Sequence, residues 1–389
     1  METRQEQSIN LQLIMLMAAR FVLNTGLRFV YPFAPELARG LNVPRQDIYY
    51  LITLRNLTGF LSPLFGPLSE RYGRRSVLVL GMLIFSAGAL MVVLWPYYWI
   101  LGAALCATGI AKILYDPAMQ AYVGEEVPYQ RRGRAIAITE YSWSLALIVG
   151  VPIVGLIMQQ QGWRSPFLWL GIGGIIAAVL LWRTIHSRVE QNKASAKKAA
   201  VMNVLRQNPV VIYAALYMIL FVAANEMLFI VFGGWMEDSF GLSLTSLGVA
   251  TAIIGGAELT GETISGWSVD RYGKRPVIIF FGAVTVLCNM LLPVTSTTLA
   301  GALATLFVLF LSFEITIVGG IPLMTELVPQ ARAVVMSIIL AAMFAGRTLG
   351  SFLGPIVWNS FGFSAAGIIW AAVAGVAILI LYRKVKVDA

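Results

Sequence analysis

The chain is poor in the residues that carry most protein chemistry. It has one histidine, His186, and two cysteines, Cys106 and Cys288, among 389 residues. So few, so far apart, give none of the Cys/His spacings that hold a metal, and the cysteines read as apolar packing residues. No glycine-rich phosphate loop is present, so ATP hydrolysis is not expected to power anything. No nucleophile-and-base constellation appears either, so neither an enzyme nor a cofactor is expected. Charge is scarce as well: 12% of residues, against about 25% in a typical soluble domain. With 58% hydrophobic residues and a mean hydropathy of +0.79, such a chain would not stay dispersed in water.

What the chain has instead is long apolar runs. A helix needs about 20 apolar residues to cross about 30 Å of hydrocarbon. Twelve stretches qualify: 11–37, 47–66, 76–95, 98–122, 135–158, 165–183, 210–234, 245–266, 276–295, 299–325, 334–358 and 362–382. Their length excludes the short alternating strands of a barrel, and lipid demands that backbone groups be satisfied within each segment. The expectation is an all-α integral membrane protein with 12 transmembrane helices.

The basic residues orient it. With an inner N-terminus, only Arg39, Arg45 and Arg164 fall outside the membrane on the outer side, while twenty lysines and arginines fall in inner segments. That bias puts both termini in the cytoplasm. It also accounts for the net charge of +9 without nucleic acid, for which no soluble basic domain is present. Trp95, Tyr97, Tyr98, Trp99, Trp163 and Trp235 fall at outer ends, as an aromatic belt should.

The chain repeats itself. Residues 66–75 read GPLSERYGRR and residues 266–275 read GWSVDRYGKR. Glu125-Glu126-Val127-Pro128 returns as Glu326-Leu327-Val328-Pro329, and Gly150 as Gly350. Two pseudo-symmetric six-helix bundles follow, 1–183 and 209–389, joined by a polar cytoplasmic linker at 184–208. The linker would either lie on anionic membrane lipids as an amphipathic helix or be a plain solvated connection.

Over essentially its whole length the sequence resembles the major facilitator superfamily. The residues that carry the resemblance are Gly66-x-x-x-Glu70-Arg71-x-Gly73-Arg74-Arg75, its copy Gly266-x-x-x-Asp270-Arg271-x-Gly273-Lys274-Arg275, and Arg132-Gly133-Arg134-Ala135 after Pro128. The resemblance implies a secondary transporter of a small molecule, working by alternating access as a functional monomer in the cell (inner) membrane. It also implies an inner conformational gate made of Gly66, Glu70, Arg71, Gly73, Arg74, Arg134, Asp270, Arg271 and Gly273. In that gate Glu70 would meet the start of the eleventh span, where a helix dipole favours a carboxylate.

A finer resemblance is to the 12-helix drug:proton antiporters. It rests on Thr25-Gly26 with Pro32-Phe33-Ala34-Pro35 in the first span and on Gly150-Val151-Pro152-x-x-Gly155 in the fifth. The chain departs from that branch in two respects: Pro152 is displaced by one position from the branch's signature, and an early arginine of the fourth span is missing. Residues Trp99 to Ile110 contain no arginine, whereas the branch carries one in the first half of its fourth span.

Charges inside the spans are costly unless they face water or a partner. The first half holds Arg20, Arg28, Arg55, Lys112, Asp116 and Glu140; the second holds Glu226, Glu258, Glu262, Glu314 and Arg347. Lys112 and Asp116, four apart, should pair. Each of the others is open to pairing, substrate contact or proton carriage. The candidate substrate-binding residues are Arg20, Arg28, Tyr31, Arg55, Lys112, Tyr141, Asn225 and Arg347. The candidate proton-coupling residues are Asp116, Glu226, Glu258 and Glu314. A guanidinium fork matches a carboxylate or phosphate, so an acidic or zwitterionic substrate fits better than a lipophilic cation. The function expected is a proton-coupled exporter; the alternative is a uniporter or importer of an organic anion without proton coupling.

Overall fold

The computed structural model describes residues 2–186 and 203–385, without the side chains at 2–8, 63, 64, 66, 67, 129–131, 133, 134, 136, 137 and 333. The part of the linker at 187–202 therefore lies outside the described residues. Every regular element among those described is helical.

The main helices among the described residues are α1 Glu2–Arg28, α2 Ala34–Leu41, α3 Arg45–Leu57, α4 Ser62–Tyr72, α5 Arg74–Leu94, α6 Tyr98–Glu126, α7 Tyr129–Leu145, α8 Val151–Gln161, α9 Ser165–Thr184, α10 Pro209–Phe240, α11 Leu244–Tyr272, α12 Lys274–Thr295, α13 Leu299–Glu326 and α14 Arg332–Lys384. Ten helical stretches among the described residues are long and apolar enough to cross a membrane. Two features separate that number from the twelve stretches of the sequence. Residues 45–72 form one helical path in three pieces, with a 3-10 turn at Thr58–Leu61. Residues 332–384 run as one element, broken inside by Gly362 at φ 74, ψ 171. The first apolar stretch also ends early. Helix α1 stops at Arg28 and a turn leads to α2, because Pro32 has no N–H to give a helix and biases Tyr31 away from it.

Helix ends report the internal repeat directly. Among the described residues, those at positive φ are Asn42, Gly73, Gly162, Gly241, Gly273 and Gly362. They fall into three pairs about 200 positions apart in the sequence: Asn42 with Gly241, Gly73 with Gly273, and Gly162 with Gly362. Gly73 and Gly273 share even their ψ, 149 and 150. Glycine is required there because a Cβ would be strained at these angles.

Two compact units result, Met1–Lys193 with Leu242–Ala252, and Ala194–Gly241 with Ile253–Ala389. The first unit has a core of α1, α5, α6 and α9 side chains, among them Leu16, Leu23, Met82, Phe85, Tyr115 and Leu181. Segment 242–252 seats on α8 of this unit. The Gln159 side chain accepts from Thr245 N at 3.0 Å and from its hydroxyl at 2.6 Å. The second unit packs Tyr217, Phe221, Phe313 and Leu381 in its core. There α10 and α14 meet through Gly346, Gly350 and Gly354, where a Cβ would strike the Ile219, Ala223 and Met227 carbonyls at 2.5 to 2.6 Å. Small residues at this spacing let helix backbones approach closely in lipid. One belt assignment is overturned: Trp235 is buried and stacks on Phe363 at 4.1 Å, so it packs the second unit rather than facing an interface.

Candidate functional site

Arg20, Asn24 and Arg28 recur every fourth residue of α1, so they share one face over about 12 Å. Tyr31 follows three residues later in the turn. Each meets a polar partner from another helix of the first unit.

Arg20 is the anchor, with 4% of its surface exposed. Its Nε and Nη2 donate to the two carboxylate oxygens of Asp116 on α6, at 3.0 and 3.3 Å. Its Nη1 lies 2.9 Å from Glu140 Oε2 on α7 and donates to the Thr139 carbonyl at 3.0 Å. Lys112, one turn before Asp116, bridges to it at 2.9 Å, so the pairing expected from their spacing is present. Lys112 also donates to Asn24 Oδ1 at 2.5 Å. Asn24 donates on to the Ser142 hydroxyl at 3.2 Å. Arg28 lies 4.2 Å from the centre of the Trp143 ring, and Lys112 lies 5.3 Å from the same ring. Burying an ion costs several kcal/mol unless its partners are well placed. Here the two acids and the Asn24 amide divide the donors of Arg20 and Lys112 among them.

Arg55, on α3, is 2% exposed. It donates to the Leu27 carbonyl at 2.5 Å, the Tyr31 hydroxyl at 2.7 Å and Asn56 Oδ1 at 3.1 Å. Those acceptors are all neutral, which sets Arg55 apart from Arg20.

In the second unit Glu226 on α10 is buried, with Arg347 Nη1 of α14 at 3.8 Å. Glu258 on α11 and Glu314 on α13 are buried too. Asn225, beside Glu226, keeps a buried Oδ1 without a hydrogen bond among the described residues. Tyr141 is exposed and takes no part in the α1 network.

The two repeated turns are tied down in the same way. Arg74 donates to Glu125 at 2.8 Å and to Ser69 at 2.6 Å; its counterpart Lys274 bridges to Glu326. Arg71 lies against the Tyr72 ring and Arg271 against Trp267 and Tyr272. Glu70 is half-buried and Asp270 exposed. Gly66 lies within α4 and Arg134 within α7, and the Arg134 side chain is not among those described.

Of the sequence candidates, the structure thus joins Arg20, Lys112 and Asp116 in one cluster, Tyr31 with Arg55, and Arg347 with Glu226. The cluster also takes in Asn24, Glu140 and Ser142, which the sequence does not single out as binding or coupling residues. Asn24 was recoverable, since it lies midway between Arg20 and Arg28 on one helical face.

The profile of the Major Facilitator Superfamily matches residues 16–233 and 214–389. The chain belongs to this superfamily of transporters and is a multi-pass membrane protein. It is 28% identical over 354 residues to the uncharacterized MFS-type transporter YwfA of Bacillus subtilis (strain 168), covering 88% of this chain and 84% of that one. Its fold is that of a D-xylose-proton symporter (TM-score 0.79, 15% identity, 97% and 98% of the two chains). It also matches a peptide transporter, POT, in complex with sulfate (0.79, 15%, 97% and 96%). A third match is a bacterial homolog of the human lysosomal transporter Spinster in an inward-facing, occupied conformation (0.77, 12%, 97% and 96%).

Proposed function

We propose that the chain is a secondary active transporter that exports a small organic molecule with an acidic or zwitterionic group in exchange for protons, by alternating access in the inner membrane. Twelve spans follow from taking 45–72 as one span and dividing 332–384 at Gly362. The bias in basic residues supports cytoplasmic termini. Domain limits at 183 and 209, and a gating role for the two repeated turns, belong to the same proposal.

The observation that carries it is the sharing of Arg20 between Asp116 and Glu140. A guanidinium held by two carboxylates keeps one grip when the other is lost. Asp116 also forms an ion pair with Lys112, whereas the ion pair of Glu140 among the described residues is with Arg20 and its side chain is 39% exposed. Glu140 is therefore the acid best arranged to release Arg20 on taking a proton, or to take the cationic end of a substrate in place of that proton. Competition between proton and substrate for one carboxylate gives antiport. The antiporter reading has a second support. The two signature stretches meet, with a Cβ on Gly150 falling 2.2 Å from Thr25 Oγ1 and one on Gly155 falling 2.9 Å from Phe33. Proton coupling also appears in the name of the D-xylose-proton symporter.

The test starts from a thermal-shift screen of organic anions, zwitterions, sugars and drugs on the purified chain. Flux of the hit is then followed in proteoliposomes under an imposed pH gradient. Proton-driven flux supports the proposal, and flux indifferent to the gradient rejects it.

Arg55 favours a second reading, uniport or import of an organic anion. A buried guanidinium with neutral acceptors is a ready carboxylate site. Substrate equilibration without accumulation, unchanged by an uncoupler, would select it.

A further inference from the structure

The repeated turns each carry two adjacent cations, and the two are used differently. The first of each, Arg74 and Lys274, is neutralised by an acid, Glu125 and Glu326. The second of each has an aromatic ring instead. The Arg75 guanidinium lies 4.1 Å from the centre of the Trp182 ring. The Arg275 guanidinium lies 5.8 Å from the Tyr382 ring and donates to the Tyr382 carbonyl. Among the described residues neither has an acidic partner, and the Nε of each is buried without a hydrogen bond.

The two pairs are copies of one another, 75 with 182 and 275 with 382, and each lies within a single unit. In each, the arginine starts one long helix and the aromatic ends another: α5 and α9 in the first unit, α12 and α14 in the second. Trp182 and Tyr382 remain 52% and 58% exposed. Further along the same helices, Leu80 and Val179, and Phe280 and Leu379, are exposed. An exposed amphipathic ring at a helix end marks the level of lipid headgroups. A guanidinium stacked on such a ring is held by cation–π attraction with donors left over. Those donors match phosphate.

We propose that Arg75 with Trp182, and Arg275 with Tyr382, are two equivalent sites for the headgroup phosphate of an anionic membrane phospholipid, whose acyl chains run along the exposed apolar side chains of the same helices. The positive-inside bias assigns both to the inner leaflet, where anionic lipid is attracted by basic residues. The sites are independent of the transported substrate, and their test does not require it.

The test is native mass spectrometry of the full-length protein in detergent with phosphatidylglycerol, phosphatidylcholine or inorganic phosphate, with thermal unfolding as a second readout. Wild type should retain two phosphatidylglycerol molecules in preference to phosphatidylcholine and gain thermal stability from them. R75Q and R275Q should each lose one bound lipid, with affinity at the altered site down about fivefold. R75Q/R275Q should lose both, together with the stabilisation. If the double variant does not fold, W182L/Y382L serves the same comparison and should also lose retention. Equal retention of the two lipids would overturn the proposal. So would undiminished retention in the folded variants, or stabilisation by inorganic phosphate equal to that by lipid.

Discussion

Arg20 grips Asp116 with two nitrogens, Nε at 3.0 Å from Oδ1 and Nη2 at 3.3 Å from Oδ2. This fork joins α1 to α6, residues 96 positions apart, and it leaves the third nitrogen, Nη1, for Glu140. The polar face of the first unit is built outward from that pair.

Removing one side of a buried pair strands the other. Arg20→Ala should cost about 3–5 kcal/mol, read as a lowered unfolding midpoint in detergent. Arg20→Lys should recover only part of it, because an ammonium cannot span both Asp116 oxygens as the fork does. Full recovery by lysine would mean that charge alone, and not the fork, matters.

Gly150, just before α8, is where that stretch touches Thr25 of α1. Gly150→Ala drives a methyl into the Thr25 hydroxyl and should cost about 1–3 kcal/mol. Thr25→Ala should relieve part of that cost in the double variant. Gly350→Ala meets the Ala223 carbonyl at 2.5 Å as well as the Glu226 Cβ at 2.6 Å, so adding Glu226→Ala should not rescue it. Thermal unfolding of these variants, with Gly350→Ala alone and combined with Glu226→Ala, checks both statements.

The anion reading is tested at Arg55. Replacing a charged hydrogen-bond donor forfeits about 1.5–3 kcal/mol of binding, so Arg55→Gln should weaken an acidic ligand by about tenfold or more. A neutral ligand should be little affected. Titration of the ligand identified by thermal shift reads the difference.

Much of the fold was legible because lipid allows few alternatives. The apolar runs, the turn glycines Gly73 and Gly273 and the Lys112–Asp116 pair all follow from local spacing. The short helix α2 was hidden because Pro32 and Pro35 lie inside an apolar run that continues past them. Trp235 misled for a related reason: its position along the span says depth, and only packing against Phe363 shows which way the ring points. Helical spacing brings Arg20, Asn24 and Arg28 to one face, but it cannot say which of the other helices meets that face. The sequence therefore shows Glu140 only as an embedded charge, not that Arg20 lies 2.9 Å from it.

The most direct test of the proton-coupling proposal compares wild type with Glu140→Gln in proteoliposomes carrying an imposed pH gradient. Glutamine keeps an oxygen for Arg20 but has no carboxylate to protonate. Wild type should move substrate against its gradient while the pH difference lasts. Glu140→Gln should lose that uphill flux yet keep substrate exchange at equal pH. Uphill flux that survives in Glu140→Gln, or wild-type flux untouched by an uncoupler, would contradict the account.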